Sequence, residues 1–142
     1  MEKKFIPVTG QGKARWNNVH VHDLSDVFNL LVDAAAAKSQ DPELWGPKGY
    51  LIIEAGEHNW ADLAKLIGKT AAEKGYISQP ETKSLSYDEA YDVAGFQAIS
   101  WGLNSRAKTI RAAKVLGWKP SRGTVEQDVP NIIEAEHQLL AK

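Results

Sequence analysis

The spacing of apolar residues predicts a single α/β domain, 1–142, that is rich in helix and has few short strands. A chain of 142 residues suits one compact domain. Five stretches repeat apolar residues at helical spacing, and two short stretches have strand patterns. Two short strands form a marginal sheet unless others pair with them. We therefore expect that part of a larger sheet is missing from this chain.

The first predicted strand leads directly into the first predicted helix. Residues 19–22 alternate apolar and polar side chains, which is typical of a short strand. Asp23 is expected to cap the following helix, in which Leu24, Val27 and Leu31 share one face. Residues 50–53 form a continuous apolar run between turn signals, so they predict a second, buried strand.

Four more helices are predicted from their end signals. Asn59 is the expected N-cap of one helix, which ends before Gly75. A capping box at 86–89 begins a helix that should stop at Gly95. Asn104 or Ser105 should cap the next, which ends at Gly117 and Pro120, and Thr124 begins the last. There Pro130 predicts a break, and the apolar face is Ile132, Ile133, Leu139 and Leu140.

Composition excludes several classes of function. The net charge is −1, so the chain has no general electrostatic attraction to nucleic acid or to an anionic membrane. No apolar run is long enough to cross a bilayer. The absence of cysteine excludes disulfides, thiolate metal ligands and a cysteine nucleophile, and it fits a cytoplasmic location.

A metal site is one interpretation of His20 and His22, because alternate residues of a strand point to one face. Such a site needs a third ligand, and His58, Glu54 or Asp23 are the options. The commoner alternative is that one ring makes a local hydrogen bond while the other packs. We predict that the chain binds no metal.

Other motifs lack the context that their chemistry requires. Gly10 and Gly12 would need to lie between a strand and a helix to hold a dinucleotide, and a third small residue should stand where Arg15 is. The turn 46–49 has no Ser or Thr after its lysine, so it is not a P-loop. Ser100 lacks the full pair of flanking glycines of a nucleophile elbow, because Ala98 stands two residues before it. We therefore predict no catalytic residue and no cofactor site here.

A cationic wall for an anionic ligand is a further interpretation. Arg15 lies beside Trp16, and Arg106 and Lys108 follow later in the chain. Arginine binds phosphate or carboxylate through its two-pronged guanidinium group. The alternative is that these are ordinary solvated surface cations. Asn104 at an expected helix start also suits an anion, although simple capping explains it equally.

Four motifs in order carry a resemblance to a known family. The stretch 15–24 resembles the Arg and Val-His-Val-x-Asp-Leu segment of the NAD-dependent epimerase/dehydratase family, the extended short-chain dehydrogenases. The stretches 49–51 and 60–64 resemble its later strand and the helix after it. Residues 116–120 match its near-terminal Leu-Gly-Trp-x-Pro motif, and 124–128 match the acidic segment beyond.

This resemblance covers only the C-terminal half of the family. Its members begin with a Rossmann domain that bears a Gly-x-x-Gly-x-x-Gly loop, and they then carry a catalytic Ser or Thr and a Tyr-x-x-x-Lys pair. None of these occurs in place in this sequence: four residues after Tyr87 comes Tyr91, and four after Tyr91 comes Gly95. The resemblance implies the helix-rich substrate-binding portion of a Rossmann-type enzyme, without its cofactor-binding half.

The resemblance also suggests substrate-binding residues. The family's arginine lines the substrate site, so Arg15 inherits that role, and the segment containing Asn104 and Arg106 lies at its rim. That segment departs from the pattern of the sugar-nucleotide enzymes, which puts a sugar-nucleotide substrate in doubt. The full predicted set for a small-molecule substrate, with an anionic group as one option, is Arg15, Trp16, Asn17, Trp101, Asn104 and Arg106.

Two classes of function follow. In the first, the chain shapes substrate choice in an NAD(P)-dependent enzyme, whose nicotinamide chemistry is performed elsewhere, and it is inactive alone. In the second, it is a binding module that re-pairs with a separate Rossmann half or forms a homo-oligomer, because a surface that has lost its partner exposes apolar area.

Overall fold

A computed structural model describes residues 5–78 and 80–141 as a mixed α/β protein, mostly helical with few short strands. A short 3-10 helix, Gly46–Lys48, precedes the third strand. The longer elements, in chain order, are β1 (Phe5–Thr9), β2 (Arg15–Asn18), α1 (Val21–Ala36), β3 (Gly56–Asn59), α2 (Trp60–Glu73), β4 (Glu81–Leu85), α3 (Tyr87–Ser100), α4 (Arg111–Leu116) and α5 (Val125–Leu140).

The chain forms two compact units, each made from separated segments. Unit 1 contains the described residues of Met1–Trp16, His58–Ser105 and Val125–Lys142. Unit 2 contains Asn17–Glu57 and Arg106–Thr124. None of the helices in the described part of the chain has the length and apolar character needed to cross a membrane.

Unit 1 is built on a parallel pair of strands and on the packing of α2 against α5. β1 pairs with β4 in parallel register, from Phe5 opposite Glu81 to Thr9 opposite Leu85. One apolar cluster joins Leu63 and Ala71 of α2 to α5, and a second holds Leu85 with two alanines of α3. The α5 members of the first cluster are Val129 and Ile133.

Unit 2 has its own core around Trp118. This indole packs with Val27 of α1 and Ala112 of α4, and its Nε1 donates to the backbone oxygen of Asp23 at 3.0 Å. The Asp23 carboxylate is 1% exposed. It accepts hydrogen bonds from the backbone N and Oγ of Ser121, at 3.0 and 3.1 Å, and from the backbone N of Arg122 at 3.2 Å.

The pKa of Asp23 reflects two opposing effects. Burial raises it, but the hydrogen bonds from Ser121 and Arg122 and the charge of Arg122 outweigh burial, so the pKa lies below 3.8. Asp23 therefore remains ionised at neutral pH and holds residues 121–122 against α1.

The predicted strand at 19–22 is wrong. The prediction that Asp23 caps the following helix is wrong as well. β2 ends at Asn18, and the N-cap of α1 is His20, whose Nδ1 accepts a hydrogen bond from the backbone N of His22 at 3.1 Å. The short alternation at 19–22 is equally compatible with a cap and first helical turn. The hydrogen bond between His20 and the backbone of His22, together with the burial of Asp23, favours a helix over a strand at these residues.

The predicted buried strand at 50–53 is also wrong. Tyr50 and Ile52 are 67% and 48% exposed, whereas Leu51 and Ile53 pack on the unit 2 core. This segment lies in no named strand, and the side chain of Thr109 donates to the backbone oxygen of Ile52 at 3.2 Å. A continuous apolar run does not reveal whether strand neighbours are available to bury both of its faces.

The helix predicted from Asn104 or Ser105 begins later. α4 starts at Arg111, and the residues before it form hydrogen bonds with side chains and with β2 instead of helical ones. Ser105 N donates to the backbone oxygen of Arg15 at 3.0 Å, and Thr109 N donates to Glu54 Oε1 at 3.3 Å. Such long-range partners cannot be recognised from local spacing.

Several predicted helix ends are confirmed. Asn59 caps α2 through a hydrogen bond from Asp62 N at 3.0 Å, and Ser86 with Glu89 forms the capping box of α3. Gly117 ends α4 at φ 64°, a left-handed conformation that costs glycine least. The predicted stop at Gly95 is confirmed only in part, because the backbone is non-helical at Ala94 and Gly95 but α3 resumes beyond this kink and reaches Ser100.

The predicted break at Pro130 is wrong, because α5 continues through it. Pro130 has no N–H to donate to the carbonyl oxygen one turn earlier. Because Pro130 is exposed, water can bind that oxygen instead and offset part of the cost of the lost hydrogen bond. The predicted apolar face of α5 is confirmed only at Ile133, which is 6% exposed. Ile132 is 43% exposed, and Leu139 and Leu140 are more exposed still.

A carboxylate on α5 should titrate far from its ordinary range. Glu134 Oε2 accepts hydrogen bonds from Tyr76 Oη at 2.6 Å and from Lys74 Nζ at 2.9 Å, and Gln138 donates to Oε1 at 3.1 Å. The Tyr76 bond is the largest cause that lowers the pKa of Glu134 from 4.5 to about 2. Its stabilising effect is thus complete above pH 4.5 and is lost as the pH falls through about 2.

We expect Tyr76→Phe to raise the pKa of Glu134 part of the way back to its ordinary 4.5, because the phenol donor is lost while the ring remains. A carbon NMR titration of the side-chain carboxyls would measure the shift. Tyr91→Phe, at an exposed tyrosine of α3, is the control and should leave the pKa unchanged. An unshifted Glu134 in Tyr76→Phe would contradict the hydrogen-bond geometry.

Candidate substrate-binding site

In unit 1, the start of β2 is held against the segment 103–105 by four contacts. Arg15 N donates to Asn104 Oδ1 at 2.9 Å, and Ser105 N returns a bond to the Arg15 oxygen. Trp16 forms a parallel bridge with Ser105, and its Nε1 donates to the Leu103 oxygen at 2.8 Å. Four predicted site residues, Arg15, Trp16, Trp101 and Asn104, therefore belong to the same unit.

An aromatic cluster centres on Trp60, the first residue of α2. Trp16 meets Trp60 edge to face with ring centroids 5.3 Å apart, and Trp101 lies 5.9 Å away on a tilted plane. His58 also meets Trp60 edge to face, at 4.8 Å. The Trp60 backbone is anchored by a hydrogen bond from its N to the Ala14 oxygen at 3.1 Å.

The turn 10–12 also helps to place Trp60. Asn59 Nδ2 donates to the Gly12 oxygen at 2.9 Å, which connects the cap of α2 to this turn. At Gly12, φ is +68°, and an added Cβ would come within 2.8 Å of Ala61 Cβ and Val8 Cγ1. Residues 10–12 form a turn, and the close contacts at Gly12 bring β1 tightly against the start of α2.

A cavity of about 390 Å³ opens between β1, the start of α2 and Trp101. This Trp60 cavity lies entirely within unit 1. Its size is within the range typical of small-molecule sites. The lining comes mainly from two elements, with single residues added around them: Phe5–Thr9 of β1, Trp60, Ala61, Ala64, Ile67 and Gly68 of α2, and also Gly12, Ile77, Pro80 and Trp101.

The walls of the Trp60 cavity carry almost no polar side chains. Among the described lining residues, Thr9 alone has a hydroxyl, and none is charged. Thr9 Oγ1 donates to the Ala98 oxygen at 2.7 Å, so its proton is already used. The Trp60 Nε1 is buried, and no described residue accepts a hydrogen bond from it. The walls of the cavity therefore favour an apolar occupant.

His58 is buried at the side of Trp60. Burial lowers the pKa of His58 below 6.5, and the nearby charge of Glu126 opposes that effect only in part. The imidazole is therefore neutral at pH 7, and it adds no positive charge next to the cavity.

The other two predicted site residues, Asn17 and Arg106, lie in unit 2 and have structural partners there. The Asn17 side chain forms two hydrogen bonds with the backbone of Ala107, one accepted from N and one donated to O at 3.1 Å. Arg106 forms a two-pronged ion pair with Glu57. Lys108 lies 3.5 Å from Glu54. Two cations of the predicted wall are therefore paired with carboxylates.

The described residues contain no group of three His, Cys, Asp or Glu side chains able to hold a metal ion. The rings of His20 and His22 lie 5.1 Å apart at the start of α1 rather than on one face of a strand. The turn 10–12 joins two strands, so no helix N-terminus stands behind it to receive a dinucleotide phosphate. The chain shows no structural fit to a nicotinamide cofactor at that turn.

Two curated proteins are similar to this chain. It is 36% identical over 137 residues to "Oxidase ucsJ" of an Acremonium species, a match that covers 92% of this chain and 39% of that protein. It is 36% identical over 86 residues to "Putative replication protein B" of Sinorhizobium fredii, covering 56% of this chain and 25% of that protein. No protein-family model matches.

The chain thus spans about two fifths of the length of the first relative and a quarter of the second. The match to the first relative extends over nearly all of the chain, and both units fall within its reach.

Trp60 and β1 are the parts of this site that the sequence did not reveal. No local pattern singles out Trp60 as a site residue, and no pattern predicts a strand at β1. The abundance of tryptophan was a usable signal, because three of the five Trp residues meet in one cluster.

Proposed function

We propose that the chain is the substrate-binding portion of an oxidoreductase related to the NAD(P)-dependent epimerase/dehydratase enzymes of Rossmann type. The observation that carries this proposal is the match of 92% of the chain to a protein named as an oxidase. The Trp60 cavity supports it, because it is a concave apolar site of suitable volume held by rigid elements.

The predicted site residues take different roles in this proposal. Trp101 lines the cavity and contacts the substrate directly. Trp16 packs on Trp60, and Asn104 fixes the start of β2, so both position the site. Arg15 is exposed beside this pair, and in this proposal it contacts an anionic group of the substrate at the rim of the site. Asn17 and Arg106 organise unit 2 through Ala107 and Glu57.

The proposed chemistry is divided between two parts of a longer protein. Hydride transfer by NAD(P) and proton transfer by the family's Tyr and Lys belong to the part that this sequence does not contain. The present chain supplies an apolar wall that excludes water and orients the substrate. The cytoplasmic location and the description of 1–142 as one domain within that protein remain predictions.

A chimera tests this proposal. This chain would replace the matched segment of the Acremonium relative, and the absorbance of NAD(P)H would be followed with carbonyl substrates. We expect turnover by the chimera and none by the chain alone, because the chain has neither the family's phosphate loop nor its Tyr-x-x-x-Lys pair. Trp101→Ala in the chimera should lower turnover about tenfold or more while NAD(P)H binding is kept.

Two outcomes would contradict the proposal. The first is NAD(P)H turnover by the isolated chain, which would require catalytic groups within it. The second is a folded chimera that binds NAD(P)H and is unaffected by Trp101→Ala.

The name of the second relative does not lead to a comparable proposal. A role in binding nucleic acid would require clustered cations, which bind its backbone. This chain has a net charge of −1, and Arg106 and Lys108 are each paired with a carboxylate. The match also covers only 56% of the chain.

A self-associating module is the second candidate function, and the outer face of α1 favours it. Val21, Phe28 and Val32 are 66%, 61% and 66% exposed, and their spacing places them on one stripe of the helix. The proposed occupant is the same stripe of a second copy.

Light scattering should then show a dimer. Phe28→Glu should convert this dimer to a monomer, whereas Asn29→Glu should leave it a dimer. A wild-type monomer at high concentration would end this proposal.

A further inference from the structure

Gly68 is a buried glycine in the interior of α2, where alanine would favour the helix more. A Cβ added at Gly68 would lie 2.6 Å from Ile6 Cγ1 and closer still to Ile6 Cδ1, whereas Pro80 Cγ would be 3.4 Å away. The end of the Ile6 side chain therefore lies in the space that a side chain at position 68 would occupy.

Ile6 lies at the boundary between two cavities of unit 1. Gly68, Ile6 and Pro80 all belong to the lining of the Trp60 cavity. Ile6 and Pro80 also line a second cavity, the outer groove, whose walls include the exposed Lys65 and Lys69. The Ile6 side chain thus has an apolar cavity on one side and a groove with charged walls on the other.

A side chain at position 68 would displace Ile6 in a defined direction. The pairing of β1 with β4 holds the backbone of Ile6 opposite Thr82, so the side chain of Ile6 has to move rather than its backbone. In the outer groove, an apolar side chain would be exposed to water, whereas the walls of the Trp60 cavity are apolar. The displaced side chain is therefore expected to turn into the Trp60 cavity and to reduce its volume.

The Trp60 cavity suits a small molecule better than a protein partner. Fourteen described residues line it, fewer than the roughly 20–30 residues that each side of a stable protein interface contributes. None of the fourteen is charged, and the single hydroxyl, that of Thr9, donates to the Ala98 oxygen. The walls therefore select an occupant by its apolar volume rather than by charge.

We propose that Gly68 determines the size of substrate that the Trp60 cavity accepts. The missing Cβ leaves room for Ile6 against α2, and the cavity then admits uncharged apolar molecules that an alanine at position 68 would exclude. Gly68 is in this sense a specificity-determining residue and takes no part in chemistry. Calling these molecules substrates rests on the proposed function, whereas the limit on their size does not.

Isothermal titration calorimetry of the intact chain with n-alkylbenzenes, from toluene to hexylbenzene, tests this inference. These probes are uncharged, have no hydrogen-bonding group and differ only in length. The affinity of the wild type should rise about fourfold with each added methylene until the cavity is full. For Gly68→Ala, the longest probe that still gains affinity in the wild type should bind at least about tenfold more weakly, while toluene should bind as it does to the wild type.

Two further variants are the controls. Ile6→Ala removes both of the atoms that an added Cβ would meet, so Gly68→Ala combined with Ile6→Ala should regain the affinity for the longest probe. Gly56→Ala is the matched glycine control and should bind every probe as the wild type does. A Cβ at Gly56 would lie 3.6 Å from Asn18 Oδ1, an ordinary contact, and Gly56 is outside the lining.

A second measurement applies if Gly68→Ala does not fold by circular dichroism. Ile6→Ala alone then decides the question, because it enlarges the space beside Gly68. It should bind hexylbenzene at least about fourfold more tightly than the wild type does. Equal affinity of Ile6→Ala and the wild type for hexylbenzene would overturn the inference.

Three other results would overturn it. The first is equal affinity of folded Gly68→Ala and the wild type for the longest probe, because Ile6 would then have turned toward the outer groove. The second is loss of every probe by Gly68→Ala without recovery on adding Ile6→Ala, because no limit on size would then be involved. The third is the absence of saturable binding to the wild type.

These results can be separated from a failure of the proposed function, because none of them depends on turnover. A size limit that changes in Gly68→Ala, together with an inactive chimera, would retain the role of Gly68 in binding and reject the oxidoreductase proposal. An active chimera with an unchanged size limit in Gly68→Ala would do the reverse.

Discussion

Asp23→Ala is expected to destabilise unit 2 by about 3 kcal/mol, since it removes the acceptor of two backbone N–H groups and one hydroxyl. The carboxylate is 1% exposed, so water cannot easily replace it. Hydrogen exchange followed by mass spectrometry would measure the change, with protection expected to fall in α1 and α4. Protection in the segments of unit 1 serves as the internal reference.

The control for this variant is Asp33→Ala, at an exposed aspartate of the same helix, which should change stability by less than about 0.5 kcal/mol. Exchange in α1 that is the same in both variants would mean that Asp23 does not hold residues 121–122.

The same carboxylate predicts a pH dependence. The folded-state pKa of Asp23 lies below the 3.8 of an unstructured aspartate, so the unfolded state binds its proton more readily. The stabilisation is therefore complete above about pH 4 and is lost as the pH falls through the lowered pKa. Asp23→Asn should show a smaller loss of stability than the wild type over this acidic range. An equal loss in both proteins would assign acid sensitivity to other groups.

Ile133→Ala is expected to cost unit 1 about 3 kcal/mol, because it opens a cavity between α5 and α2. Ile133 is 6% exposed and packs with Leu63, Ala71 and Val129. Chemical denaturation monitored by circular dichroism, combined with hydrogen exchange in α2, would measure the loss.

The adjacent Ile132 provides a closely matched control. It has the same side chain on the same helix and is 43% exposed, so Ile132→Ala should cost less than about 1 kcal/mol. Similar losses of stability in the two variants would contradict the orientation in which α5 packs against α2.

Local signals predicted helix ends well and strands poorly. Asn59, the capping box at Ser86 and the left-handed Gly117 depend on residues within one turn, which a sequence displays directly. The pairing of β1 with β4 joins segments more than seventy residues apart, and Pro7 and the mostly polar β4 disguise it. Register of this kind depends on the whole fold rather than on spacing.

Competition between partners explains the errors at the start of α1 and before α4. Asp23 is chemically suited to capping, but it accepts hydrogen bonds from Ser121 and Arg122, about a hundred residues away. Asn104 is suited to capping as well, but Arg15 N is its partner. For the site, the tryptophan-rich composition was visible in advance, whereas the cavity required the placement of β1 against α2.

The interleaved connectivity of the two units sets the order in which a ribosome can complete them. Unit 2 requires nothing beyond Thr124, so all of its segments are synthesised before α5. Unit 1 begins earlier but closes later, because its core needs Val129 and Ile133 from α5. During translation, the face of α2 that packs on α5 is therefore uncovered until Val125–Leu140 has been synthesised, and the nascent chain exposes apolar surface for that interval.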